Sequence, residues 1–332
     1  MKNNNHLEVF QNFNYSREDG TYSIWDHQNF ITELKLPANY KPLVKLNTVL
    51  EEMYSWTEQL SKERLTVLKI IGDAVCANED QLRRYLSSVM SYSATSSHIT
   101  FLRKKGFVQR YKCYLDTLID DSGERRNLGN PAPINLGPAG YILLSYLYSG
   151  SFFMPPDVWI DRNADATIQR FVAMNEIRCC FAEKSIAKKW KWYPTIGGQR
   201  SYKKPLAVME IGEDADEVDS RAWFLFERAQ LKQNFLGFFK DRLNLYRHLH
   251  ENNGNIPIAD SPDDGQKIVV LSCSTFNIAK VVHEEIGLHK FPFPVWVLID
   301  EWFDTGDLIT QAFAAPQKDG NTYELKRLKL NI

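Results

Sequence analysis

Between Leu46 and Leu60 the apolar residues fall at Leu46, Val49, Met53, Trp56 and Leu60, the spacing of one helical face. That stripe suits either a helix–helix seam or a helix packed on its own domain. Ser61 can cap a second helix, from about Lys62 to Asp73, with Leu65, Leu68 and Ile71 on its apolar side. Asn78 with Gln81 three residues on has the capping-box pattern and opens a short helix, Glu79 to Leu86. A third helix of this group begins near Ser93 and stops at Lys104-Lys105-Gly106, where Gly106 suits a C-cap and the lysines suit the negative helix end. After Gly106 the period changes to two through Phe107, Val108, Arg110, Tyr111, Cys113 and Leu115. A polar turn, Asp120 to Arg126, separates this strand from a short one near Ile134–Leu136, and Gly137-Pro138 starts another helix.

Pro155-Pro156 reads as a hinge. Beyond it come a helix (about Asp165 to Ile186), a strand at Trp190–Tyr193, a strand from Pro205 to Ile211, an acidic loop from Glu213 to Asp219 and a strand from Arg221 to Glu227. A long helix follows, Gln230 to Asn252, with Leu231, Phe235, Phe238, Phe239, Leu243, Tyr246 and Leu249 as its stripe. Lys267–Ser272 is a buried strand, Phe276–Ile286 a helix and Val295–Ile299 a strand. The expected class is α/β (α+β overall). Three segments are expected: residues 1–60 as an arm and helix, 61–154 as a first domain and 157–332 as a second. Phe10, Phe13, Tyr15, Tyr22, Trp25 and Phe30 give the arm enough apolar surface to lie on the body.

Of 332 residues, 44% are hydrophobic and 24% charged, which excludes general disorder. The formal net charge of −1 means that any nucleic-acid surface must come from local segregation of charge. No apolar run reaches the roughly 18 residues of a spanning helix. Tyr141 to Met154 is broken by Ser145, Ser149, Gly150 and Ser151. The polar start, Met1 to His6, has no apolar signal region, so a cytoplasmic protein without a membrane partner is expected. Five cysteines with no Cys-x-x-Cys speak for reduced thiols and against a zinc ribbon. His248 and His250 diverge on a helix. No cofactor or metal is expected.

Three helices followed by a two-stranded hairpin is the plan of a winged helix-turn-helix, with the third helix as reader and the hairpin as wing. The exposed candidates on that helix are Ser93, Thr95, Ser96, Ser97, His98, Thr100 and Arg103, mostly small hydroxyls suited to close approach to phosphates and base edges. Segment 103–126 adds Arg103, Lys104, Lys105, Arg110, Lys112, Arg125 and Arg126 against four acids, Asp116, Asp120, Asp121 and Glu124. The alternatives are a solvated charged face or a winged helix that binds protein. Segment 162–204 carries ten basic residues and three acidic ones, while 208–219 carries six acids and no base. Lys188, Lys189 and Lys191, interleaved with Trp190, Trp192 and Tyr193, suit DNA backbone or a stacked unpaired base. A solvated face with both tryptophans in a core is the other reading.

A winged helix followed by this α-β-β-β-α-β-α-β order resembles the replication-relaxation family of mobile-element proteins, over about residues 60–310. The matching stretches are Leu65–Leu86, His98–Arg110, Ile134-Asn135-Leu136-Gly137-Pro138-Ala139-Gly140, Val172–Arg178, Lys204-Pro205-Leu206-Ala207-Val208, Trp223–Gln230 and Lys267–Ser272. The resemblance implies a restriction-endonuclease-like second domain and an accessory role in plasmid mobilisation. In that fold an Asp and a Glu hold a divalent metal, and a Lys two residues beyond the Glu helps activate water. Here Leu206 stands at the Asp position and Leu225 at the Glu position, with Glu227 at the third. A second register, Thr195 with Glu210 and Gly212, keeps one acid only. A site rearranged around Glu176 and Glu227 is the remaining route to catalysis.

The expectation is a DNA-binding protein with no catalytic residues, binding duplex or locally unpaired DNA; the resemblance implies that this DNA is a transfer origin and that the protein assists a relaxase. A homodimer stays open. A metal-dependent endonuclease, a winged-helix transcriptional regulator and a protein scaffold are the alternatives.

Overall fold

The computed structural model describes residues 23–330, apart from 26, 28, 120–124, 128–131, 152, 158–163, 198–203, 212–221, 232, 260–264 and 305–307. The chain is mixed α/β, with nine α-helices and two sheets among the described residues. It divides into two compact units, residues 28–179, and residues 180–332 together with those described before 28.

The first unit opens with β1 (Phe30–Leu34), α1 (Leu46–Tyr54) and α2 (Glu58–Ala74). The stretch read as an arm holds a strand that was not expected: fully buried Phe30 begins β1, which pairs antiparallel with a later strand. The expected helix start at Ser61 is also corrected. Thr57, in extended conformation, accepts from the Leu60 amide and caps α2 a turn earlier, leaving Ser61 in the helix. Val49 and Trp56 sink into this unit's own core, so the stripe of α1 packs at home.

β2 (Cys76–Asn78), α3 (Glu79–Leu86) and α4 (Tyr92–Lys104) follow. Asn78 and Gln81 close the capping box, each side chain taking the other's amide at 2.9 and 3.0 Å. β3 (Val108–Ile119), β4 (Arg125–Asn127), β5 (Pro133–Leu136) and α5 (Pro138–Leu147) complete the sequence-local part. The sheet order is β1-β3-β5-β2, all antiparallel, with β4 also beside β3. Gly137 and Gly140 are there because α5 starts against the β3 entry. The amides of Gly137 and Ala139 donate to the carbonyls of Phe107 and Gly106 at 2.8 and 3.2 Å. A Cβ on Gly140 would stand 2.1 Å from the Phe107 oxygen.

α6 (Ala164–Glu183) crosses the division between the units, and residues 164–179 belong to the first. Buried Asn175 donates from one amide nitrogen to the carbonyls of Ala74, Cys76 and Phe171 at 2.8, 2.9 and 2.9 Å. Its oxygen accepts from Tyr85 Oη at 3.0 Å. The two carbonyls of Ala74 and Cys76 flank Val75, whose φ of 65° is strained for a β-branched residue. Arg178 pairs with Asp73 and Glu176 with Arg84 on either side of this amide.

The second unit is one seven-stranded sheet in chain order: β6 (Ala187–Trp192), β7 (Ala207–Ile211), β8 (Ala222–Arg228), β9 (Gln266–Cys273), β10 (Val295–Ile299), β11 (Phe313–Asp319) and β12 (Thr322–Leu328). β6–β7–β8 run antiparallel. β8, β9 and β10 run parallel, joined by the crossover helices α7 (Phe235–Asn253) and α8 (Phe276–Ile286), and α9 (Asp300–Asp304) follows β10. The hairpin β11–β12 and α9 were not expected. At the carboxyl ends of the parallel strands Arg228 pairs with Asp300 at 2.6 Å and donates to Ser272 at 2.6 Å, all three buried. No described helix is long and apolar enough to cross a membrane.

Replacing Asn175 by Ala would leave the Ala74 and Cys76 carbonyls and the Tyr85 hydroxyl without this partner in a dry interior. The expected loss is roughly 2–4 kcal/mol. Asn175→Asp should cost at least as much, because a carboxylate would face the same carbonyls. Urea unfolding of both variants beside the parent measures this.

Candidate nucleic-acid interface

α4 has two faces. Thr95, His98, Ile99 and Leu102 are buried, and Ser93, Ser97, Thr100 and Lys104 form an exposed stripe at 4-3-4 spacing. Two expected surface residues are therefore corrected. Thr95 donates to the Ser91 carbonyl at 3.1 Å, and His98 Nε2 meets Glu63 Oε2 at 3.0 Å, because both share the helix side of Ile99 and Leu102. Next to them Arg64 of α2 lies over the Phe101 ring at 3.6 Å, so α4 is seated on α2 by both polar and cation–π contacts.

The other expected contacts are less free than their charges suggest. Ser96 is half-buried, and its hydroxyl accepts from Arg83 Nε and Nη2 at 3.0 and 2.7 Å. Arg103 donates to the Lys35 carbonyl at 2.8 Å. Lys105 is exposed, with Nζ 3.0 Å from Glu52. Arg110 lies 3.9 Å from Glu79, which also holds Arg83 at 2.8 Å. Burial and the nearby Arg110 charge lower the Arg103 pKa from its ordinary value, which marks these two guanidiniums as neighbours. Lys112 is half-buried and stands opposite Glu33 in the β1–β3 register. Arg125 and Arg126 lie on β4, but their side chains, like the turn at 120–124, are outside the described residues. Tyr92, 49% exposed at the first turn of α4, is a feature the sequence reading missed. An aromatic directly after the capping Ser91 was its only signal.

In the second unit Lys188, Lys189 and Lys191 are exposed on β6, the outermost strand of the sheet order. Lys189 Nζ lies 3.1 Å from Glu210 and pairs with it in the ladder. Lysines on an outer strand also oppose edge-to-edge pairing with another chain. The expected base-stacking platform is corrected. Trp190 stacks on Phe226 with centroids 5.4 Å apart, and Trp192 is buried with its ring edge-on to Trp190 at 5.1 Å. Both indoles are spent on sheet packing. Arg162, Arg200, Lys203 and the acidic loop 213–219 fall outside the described residues.

Comparison with protein-family models, curated proteins and solved structures finds no match.

The positions read against nuclease chemistry are packed ones. Leu225 is fully buried in the main core of the second unit, and Leu206 is buried too, its amide donating to the Phe226 carbonyl at 2.9 Å. Glu227 is also buried, and its Oε1 accepts from Arg242 Nε at 2.5 Å and from Tyr246 Oη at 3.2 Å. Burial, then the Glu227 charge, pushes the Tyr246 phenol well above its ordinary pKa. Glu176 belongs to the other unit, where Arg84 and Gln81 hold it. Each carboxylate thus lies against an arginine of its own unit. The second register keeps Glu210 beside Lys189, and its Gly212 is outside the described residues. Among the described residues no three His, Cys, Asp or Glu side chains gather as metal ligands.

Arg242→Ala would strip the cation from buried Glu227. Because Arg242 is 20% exposed, water can partly replace it, and a loss of about 2–3 kcal/mol is expected. Adding Glu227→Leu to Arg242→Ala should restore part of that stability, because the buried carboxylate is removed as well. Urea midpoints of the single and double variants read this out.

Proposed function

We propose that residues 28–179 are a winged helix-turn-helix that binds duplex DNA, with α4 as the reading helix and the β3–β5 hairpin as the wing. The observation that carries the reading is the exposed stripe Ser93, Ser97, Thr100 and Lys104 on a helix whose other face is locked onto α2. The order α2-β2-α3-α4-β3-β5, with β2 beside β5 and β5 beside β3, supports it. Three small hydroxyls let a helix approach a groove closely, and Lys104 near the C-terminal end meets a phosphate. Arg103 and Arg110 lie alongside and can exchange their internal partners for phosphate oxygens.

The second unit, by the resemblance a restriction-endonuclease-like fold without catalysis, adds the lysines of β6 as a further contact to DNA or to a relaxase. The role proposed for the whole chain is that of a mobilisation accessory factor. A nuclease reading would need metal ligands in place of Leu206 and Leu225.

The test is a salt-dependent DNA titration. Lys104→Glu with Ser97→Glu should weaken duplex binding at least tenfold and flatten the salt slope by about one unit for each phosphate no longer neutralised. An unchanged slope places the DNA surface elsewhere. Changing Lys188 and Lys191 to Glu should lower affinity or origin nicking by an added relaxase while leaving the melting temperature in place. No change in either makes that strand edge a solvated face. Incubation with supercoiled plasmid and Mg²⁺ or Mn²⁺ should give no nicking, and nicking that disappears on Glu227→Ala would restore the nuclease.

A further inference from the structure

The first unit holds a cavity of about 580 Å³ that the DNA reading does not use. It is bounded by β1, β3, the start of α5 and residues 155–157. Its volume lies within the range of small-molecule sites, ~300–1,000 Å³. It opens on the sheet side of Gln109 and Tyr111, which alternate along β3 with Arg110 and so face away from the Arg110–Glu79 contact.

The lining has a particular chemistry. Ile142, Pro155 and Pro156 give it carbon walls, and two tyrosines, Tyr111 and Tyr141, border it. Tyr111 is buried, and its hydroxyl takes a hydrogen bond from the Asn135 amide at 3.4 Å. Among the described residues Asp157 is the only charged one in the lining, and it is exposed. No described lysine, arginine or histidine lines the cavity to balance that carboxylate. An organic anion or a phosphate would meet a like charge, and one carboxylate is too few oxygens for a divalent metal. Carbon walls, tyrosine rings and one carboxylate are the combination that recognises an organic cation.

We infer that this cavity is a binding site for a small organic ammonium, an aromatic or branched alkyl amine. Its carbon body fills the space between the prolines, Ile142 and the tyrosine rings, and its cation faces Asp157. The site is separate from the outer face of α4 and stands whether or not that face binds DNA.

Three soluble probes of one shape test it: 2-phenylethylamine, 2-phenylethanol and phenylacetate, titrated into the full chain by calorimetry. The amine should bind in the millimolar range or tighter, about tenfold tighter than the alcohol, and the anion should bind worst. Asp157→Asn should bring the amine down to the affinity of the alcohol and remove the salt dependence. Asp157 is exposed, so this variant is expected to fold like the parent. Ile142→Trp should fill the cavity and abolish binding of both amine and alcohol. No binding of the amine at millimolar concentration overturns the proposal. So does a preference for the amine that survives Asp157→Asn, or binding that survives Ile142→Trp in a variant of unchanged melting temperature.

Discussion

In the first unit a chain that leaves α2 must turn at once into β2, and it does so through Val75 at positive φ. That turn exposes the carbonyls of Ala74 and Cys76 to an interior where water cannot satisfy them. Asn175, about a hundred residues later, supplies the donors for both. The position of α6 follows from this requirement, since its amide must reach into the turn. The flanking pairs Arg178–Asp73 and Glu176–Arg84 then fix its rotation and slide. α3 is tied in through Tyr85 and Gln81, and α4 rests on α2 through Arg64 and His98. The outward stripe of α4 is presented by this chain of fixed parts.

The second unit meets the same problem at the ends of its parallel strands. Arg228 Nη1 meets both Asp300 and Ser272 there, one residue from each strand end. Glu227 and Arg242 pair one step away. Buried ion pairs of this kind contribute little net stability against an apolar replacement, yet losing one partner is costly. The carboxylates of Glu227 and Asp300 are held in this sheet by such pairs.

Charge density along the chain was a poor guide to free charge. Segment 103–126 is rich in bases, yet Arg103, Lys105 and Arg110 each have an acceptor inside the unit. Lys104 points away because it lies on the opposite side of α4 from Leu102. The tryptophans of β6 behaved likewise. Their aromatic surface is worth more against Phe226 and each other than waiting in water for a base.

Much of the local structure was legible in the residues alone. The capping box at Asn78, the switch from helical to alternating period after Gly106, the helix Phe276–Ile286 and the strand Val295–Ile299 lie where their patterns put them. These are short-range matters of hydrogen-bond capping and periodicity. Gly320-Asn321 between two strand-like runs is also a readable hairpin signal, though the strands it joins were not expected. Other features have no local signature. β1 exists because β3 offers it an edge, and Thr57 rather than Ser61 caps α2 because α1 ends just before it. The burial of Thr95 and His98, the partners of the arginines and the cavity beside Asp157 arise from side chains far apart in sequence. Sequence determines which residues can cap, alternate or carry charge. Only the tertiary structure decides which of those charges and rings already have a partner, because a partner is chosen by distance in space and by exclusion of water.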